Sequence, residues 1–237
     1  MSDNESSVKK VVFLYDRSGL MAQPWLAAGY ECWCFDGQHP EGITRDNLHV
    51  KVGMWFDADR TDEQAKSIAA MVGDNVELVF GFPECTHLAV SGAAHFAKKL
   101  RLDLEIQNKA TRLAMLVERV GDLLGCPWAA ENPVSVLSTK WRKPDFVFHP
   151  YEYGGYLAPD DAHPQWPEYI AARDAYPKKT CIWCGNGFVA PDKRPVPCPS
   201  GYSNQHLKLG GKSLKTKNIR SATPRGFARA VFEANSK

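Results

Sequence analysis

Five short apolar runs, each ended by a breaker or an acidic residue, constrain the fold of this 237-residue chain more than any other feature. They cover residues 11–15, 31–35, 50–56, 76–80 and 126–130, and each is of strand length. The stretches between them have helical character. Residues 20–28 and 62–72 read as helices, and Leu113, Leu116, Val117, Val120, Leu123 and Leu124 recur at helical spacing as a core stripe. Strands alternating with helices predict an α/β fold: a mostly parallel sheet with helices on both faces. With 44% hydrophobic residues, the chain can bury one substantial core and a small appendage.

In such a sheet the chemistry gathers in the loops at the carboxyl ends of the strands. The run 76–80 is followed by Gly81, Phe82 and Pro83, then Glu84, Cys85, Thr86 and His87, with Ser91 and Gly92 close behind. A thiol at a strand end is placed to act as a nucleophile, because the thiolate is intrinsically the most nucleophilic side chain at neutral pH. The alternative is a small buried thiol that fills space. Downstream, Glu131-Asn132-Pro133 closes the run 126–130, where a parallel sheet can bring the carboxyl beside Cys85. A Cys and a Glu so placed suit covalent addition to a heterocycle. The thiolate attacks a ring carbon while the carboxylic acid donates to a ring nitrogen.

The Pro83-Glu84-Cys85-Thr86 loop and the Glu131-Asn132-Pro133 turn resemble the catalytic loop and the Glu-Asn-Val/Pro turn of DNA cytosine-5 methyltransferases, most closely the short forms of bacteriophage genomes. The likeness extends over most of the chain. Residues 13–19 occupy the position of the family's first, cofactor-binding loop, and residues 30–36 match its second strand and the acidic residue after it. Residues 138–145, 178–183 and 219–227 are similar to later segments of the phage type. The resemblance implies a Rossmann-like S-adenosylmethionine-dependent methyltransferase fold with S-adenosyl-L-methionine, or a derivative of it, as cofactor. The implied partner is DNA, with the cytosine flipped out of a duplex or already single-stranded.

By the same resemblance, Cys85 is the nucleophile, Glu131 holds the N3 edge of the base, and Arg142 steadies base or phosphate. Cofactor contacts fall to Tyr15, Asp16, Ser18 and Gly19, to Asp36 on the ribose hydroxyls, to Asp57 or Asp59 at the adenine edge, and to Phe82 and Pro83. Substrate contacts fall to Thr86, His87, Ser91, Asn132, Lys140, Arg220 and Arg225. The chain departs from the family pattern twice. Glu84 stands where the family has the proline of a Pro-Cys pair, and only Gly19 matches a glycine-rich first loop. Two other readings therefore stay open: a non-catalytic DNA- or host-factor-binding protein on the same fold, and the same chemistry on a free cytosine nucleotide or with a modified donor.

The formal net charge is only +2, but it is unevenly spread. Lys208, Lys212, Lys215, Lys217, Arg220, Arg225 and Arg229 occur between Gln205 and Phe232 without an acidic residue, and Lys140, Arg142 and Lys143 form a second cluster. Such asymmetry suits a face that meets phosphate, or a solvated lysine-rich loop. Seven scattered cysteines, a polar start and no apolar run of membrane-spanning length predict a cytoplasmic protein, in the host cytoplasm if phage-encoded. Cys181, Cys184 and Cys198, with His206 or His163, have zinc-like spacing but no clean paired pattern, and no metal site is assigned. Three regions are expected: a catalytic core over 1–149 after a disordered start, a small irregular Pro- and aromatic-rich subdomain over 150–212, and a C-terminal helix over 213–237 that returns to the core.

Overall fold

The computed structural model describes residues 8–90, 96, 101, 103–198, 203–210 and 213–237; the predicted disordered start, Ser91, Gly92 and Lys212 lie outside them. Seven strands form one sheet in the order β3-β2-β1-β4-β5-β7-β6. They are β1 (Lys10–Leu14), β2 (Glu31–Asp46), β3 (His49–Gly53), β4 (Val76–Gly81), β5 (Trp128–Pro133), β6 (Phe146–Phe148) and β7 (Thr180–Gly185). The pairs β1–β2, β1–β4, β2–β3 and β4–β5 are parallel, and β7 runs antiparallel to both its neighbours. The chain therefore winds outward from β1 in one direction and then from β4 in the other. That reversal leaves a crevice outside the carboxyl ends of β1 and β4.

Alternation along each strand sorts the core into two layers. On one face Val12, Leu14, Val79, Trp128 and Trp183 meet α2 (Thr61–Val72) and α3 (Ile106–Leu124). On the other, Phe13, Phe80, Phe148 and Ile182 meet Trp25 of a short helix at Gln23–Ala27 (α1) and Phe227 and Val231 of a C-terminal helix. Helix α3 stops where Gly125 adopts the left-handed conformation that a C-terminal glycine permits.

Three expectations need correction. The second strand does not end at residue 35. Residues 32–36 pair with 49–53 in rising order, whereas Ile43, Thr44, Arg45 and Asp46 pair with Val52, Lys51, Val50 and His49. Falling partner numbers mean an antiparallel ladder, so the far half of β2 is an outer strand beyond β3. The crossing needs glycine, because a Cβ at Gly53 would stand 2.1 Å from the Pro40 carbonyl oxygen.

The Pro-rich segment also contributes to the sheet, since β7 lies within it and pairs with β5 over six residues. Its apolar run Thr-Cys-Ile-Trp-Cys-Gly is long enough to be a buried strand despite the prolines around it. What remains of that segment builds a satellite core of Ile170, Tyr176 and Leu209 with Ile219 and Ala222. The C-terminal region holds two helices rather than one, Leu214–Ser221 and Arg225–Asn235, separated by Thr223-Pro224. With α4 (Leu137–Lys140) and α5 (Asn204–Lys208) earlier in the chain, these are α6 and α7. Among the described residues, no helix is long and apolar enough to cross a membrane.

Candidate active site

Strands β4 and β5 end side by side, with Gly81 opposite Ala130. The loops that follow are stitched together. The Asn132 side-chain amide donates to the Pro83 carbonyl at 2.9 Å, Val90 N–H to the Val134 carbonyl at 3.0 Å, and Val136 N–H to the Leu88 carbonyl at 3.0 Å. The N–H groups of Leu88 and Ala89 both donate back to the Cys85 carbonyl at 2.9 Å, so the partly buried thiol heads a tight turn. Asn132 is 1% exposed, which makes its bond to Pro83 a buried tie between the two loops.

Glu131 lies within β5 rather than beyond it, and alternation puts it on the same face as Ala129, opposite Trp128 and Ala130. It therefore looks into the aromatic layer, where it lines a narrow cleft with Phe82, Phe148, Lys178, Thr223 and Phe227. The cleft has room for little more than a water molecule, so its walls must part before a planar base can enter.

Burial pushes the Glu131 carboxyl above the usual carboxylate range, while the Lys178 ammonium pulls the other way. The Cys85 thiol is also pushed up, first by burial and then by the negative charge of Glu131; Lys178 opposes this and Glu84 adds to it. The Cys85 thiol thus senses the Glu131 charge, and one cation acts on both. A protonated carboxyl relieves the repulsion on the thiolate, so the pair favours one negative charge over two.

Lys178 is anchored by donating to the Arg220 carbonyl at 3.0 Å. It was not singled out as a site residue from the sequence. The available signal was a Lys-Lys pair just before the apolar run 180–185, whose first residue pairs with Pro133 at the carboxyl end of β5.

The first loop, after β1, is held in a tight arrangement of its own. Tyr15 takes a left-handed conformation (φ 60°), uncommon for an aromatic residue, and its hydroxyl donates to the Leu113 carbonyl at 2.7 Å. Asp16 is 2% exposed, and its Oδ1 accepts Gly19 N–H at 2.8 Å and the Ser18 hydroxyl at 3.0 Å. Its Oδ2 is buried without a partner, and burial holds the carboxyl above its ordinary range. Gly19 (φ +65°) lets the chain turn tightly beside His49. Asp36 accepts Gln38 N–H through Oδ1 at 2.7 Å, which leaves its other oxygen for a hydroxyl. An orphaned buried acceptor at the end of β1 and a free carboxylate oxygen at the end of the first half of β2 fit a nucleoside that carries an amine.

Several predicted residues stand elsewhere or are engaged. Arg142 is not at this site. Its guanidinium lies over Trp128 and Trp141 on the opposite face of the sheet and donates to Asp145 at 2.7 Å and to the Cys184 carbonyl at 2.8 Å. Arg225 is committed to a two-pronged ion pair with Asp161, which removes it as a free substrate contact. Arg220 donates to the Leu209 carbonyl, and its own carbonyl, rather than its side chain, serves the site. Lys140 donates to Asn108 of α3 at 2.9 Å.

Asp57 and Asp59 are both exposed beyond β3. Asp57 accepts Asp59 N–H, and Asp59 pairs with Arg112. Thr86 donates to Glu84, and the buried His87 Nδ1 lacks a partner. Phe82 reaches the cleft wall and Pro83 the loop tie. Cys181 and Cys184 point to opposite faces of β7, and among the described residues no group of three or more His, Cys, Asp or Glu converges on a metal position. No protein-family model matches the chain, and no curated protein matches it.

Proposed function

We propose that the chain is a transferase that moves a methyl group, or a related one-carbon-derived group, from S-adenosyl-L-methionine or a derivative of it to C5 of cytosine in DNA. The observation that carries this reading is the placing of Cys85 and Glu131 at the carboxyl ends of the adjacent parallel strands β4 and β5, with Lys178 beside Glu131 in the cleft. It is supported by the strand order 3-2-1-4-5, shared with doubly wound nucleotide-binding sheets, and by the Asp16 loop and Asp36 at the carboxyl ends of β1 and β2. The same features suit a Rossmann-like methyltransferase fold.

In this reading the Cys85 thiolate adds to C6 of the cytosine and forms an S–C6 bond. The displaced electrons are taken up at N3, where Glu131 delivers its proton, and the resulting enamine is nucleophilic at C5. Lys178 steadies the carboxylate left on Glu131. A sulfonium cofactor, which Asp16, Gly19 and Asp36 would hold, would supply the electrophilic carbon: the C5 enamine would bond to it as its S–C bond broke, the electron pair leaving on sulfur as a neutral thioether. A base then removes the C5 proton, the returning electrons expel the Cys85 thiolate, and the N3 proton goes back to Glu131. The narrow cleft excludes water from the adduct once a base fills it.

The test is incubation with S-adenosyl-L-methionine and DNA containing 5-fluorocytosine, whose fluorine cannot leave as a proton does. A covalent protein–DNA adduct dependent on Cys85 is the expected result, and no cofactor affinity with no adduct would sink the proposal. Mass analysis of DNA nucleosides after expression identifies the transferred group. A second reading, a DNA- or host-factor-binding protein without catalysis, is favoured by the upward push on the Cys85 thiol. It predicts DNA retention that Cys85→Ser leaves unchanged, with no modified base.

A further inference from the structure

The cleft has a basic approach. Between Ser203 and Ser221 the sequence holds five cations and no acidic residue, in a protein whose net charge is only +2. Helix α6 turns Thr216 and Ile219 inward and leaves Leu214, Lys215, Lys217 and Arg220 exposed. Lys215 lies over the Tyr169 ring at 5.7 Å, and Arg220 is steadied by the Leu209 carbonyl, so two of the three cations are held outward on a defined surface. The helix is roughly 12 Å long at 1.5 Å per residue, and its last residue, Ser221, opens the run Ser221-Ala222-Thr223-Pro224 that walls the cleft opposite Glu131. The basic face therefore leads directly to the carboxyl and the aromatic side chains of the cleft.

The geometry points to α6 as the element that holds the sugar–phosphate backbone of a nucleic acid while one of its bases enters the Glu131 cleft. This inference rests on the proposed function of that cleft. Phosphates, rather than the carboxylates of an acidic protein, suit the face because it ends at a slot lined by Phe82, Phe148 and Phe227, the surroundings of a flat heterocycle. Contacts of this kind fix position without reading sequence.

The test is fluorescence anisotropy with a labelled 20-nucleotide cytosine-containing oligonucleotide, single-stranded and duplex, at 50 to 200 mM salt. Lys215→Gln/Lys217→Gln should bind at least about fivefold more weakly at 50 mM salt. The slope of log affinity against log salt should fall by about 1.8 for duplex or 1.4 for single strands, two phosphate contacts' worth. Lys66→Gln, on the exposed side of α2, should change neither, and thermal unfolding of the double variant should match the wild type because both side chains are exposed.

A double variant that binds within twofold of wild type with an unchanged slope overturns the inference. So does a wild type without DNA affinity at 50 mM salt, or one that binds poly-L-glutamate equally well. Adduct formation on 5-fluorocytosine DNA separates the two claims. An adduct with unchanged binding by the double variant leaves the function and removes the surface. Weakened binding by that variant, with no adduct from the wild type, leaves the surface and removes the function.

Discussion

Asp174 gives the sharpest quantitative test of the structure around the cleft. It is 1% exposed; its Oδ2 accepts Gly226 N–H at 2.8 Å at the start of α7, and its Oδ1 has no partner. Burial outweighs that hydrogen bond and the nearby Arg225 charge, and pushes the carboxyl from 3.8 up to about 6. The folded protein therefore keeps a proton over a pH range in which the unfolded chain has released it. The stabilisation from this group is full below pH 3.8 and is lost as pH rises through about 6. The gap between the two values corresponds to about 3 kcal/mol, at 1.36 kcal/mol per pH unit.

Asp174→Asn keeps an acceptor for Gly226 and cannot ionise. Urea unfolding of both proteins from pH 4 to 7.5 isolates the group, because contributions shared by the two cancel in the difference. Stability of the variant minus that of wild type should climb by about 2.4 kcal/mol across the range, the rest of the gap being lost already below pH 4. A difference constant to within about 0.5 kcal/mol, the scatter of neutral substitutions, would refute the burial argument.

Cys85→Ala should abolish transfer while cofactor binding survives, and retention of more than about 1% of activity would contradict covalent catalysis. Glu131→Gln should lose the factor of about 10²–10⁴ typical of general acid assistance and still exceed the Cys85 variant; activity within about threefold of wild type would remove Glu131 from the acid role. Lys178 lowers both Glu131 and Cys85, so Lys178→Met should move the activity profile to higher pH. An unmoved profile in steady-state assays from pH 6 to 10 would take Lys178 out of the site.

Much of the sheet was legible because its strands advertise themselves locally. The runs around Val11–Phe13 and Val76–Phe80 are apolar on both faces, as buried parallel strands must be. The loop carrying Cys85 and the carboxyl end of β5 carrying Glu131 were legible for the same reason, since both close such runs. Other features depend on partners far away in the chain. Arg142 and Glu131 lie close in sequence, but their side of the sheet is decided by the alternation of β5 and the Trp128–Trp141–Trp183 stack. Arg225 is lost to the substrate because Asp161, sixty-four residues earlier, reaches it first. β7 was hidden by the prolines around it, and with it the place of Lys178. The return of β2 along β3 leaves no signal in a strand-length window, because it is a register relation between two segments.

That return has a consequence for the protein in crowded solution. A sheet ends in rows of unpaired N–H and C=O groups, which invite another chain to add a strand. Here one end is β6, only three residues long. The other is the outer half of β2, whose exposed residues include Glu41, Thr44, Arg45 and Asp46, with Arg45 ion-paired to Glu31 at 2.8 Å. A second molecule approaching edge-on meets a stub on one side and charged side chains on the other. The apolar strands β1 and β4 stay in the middle of the sheet, out of reach of intermolecular pairing.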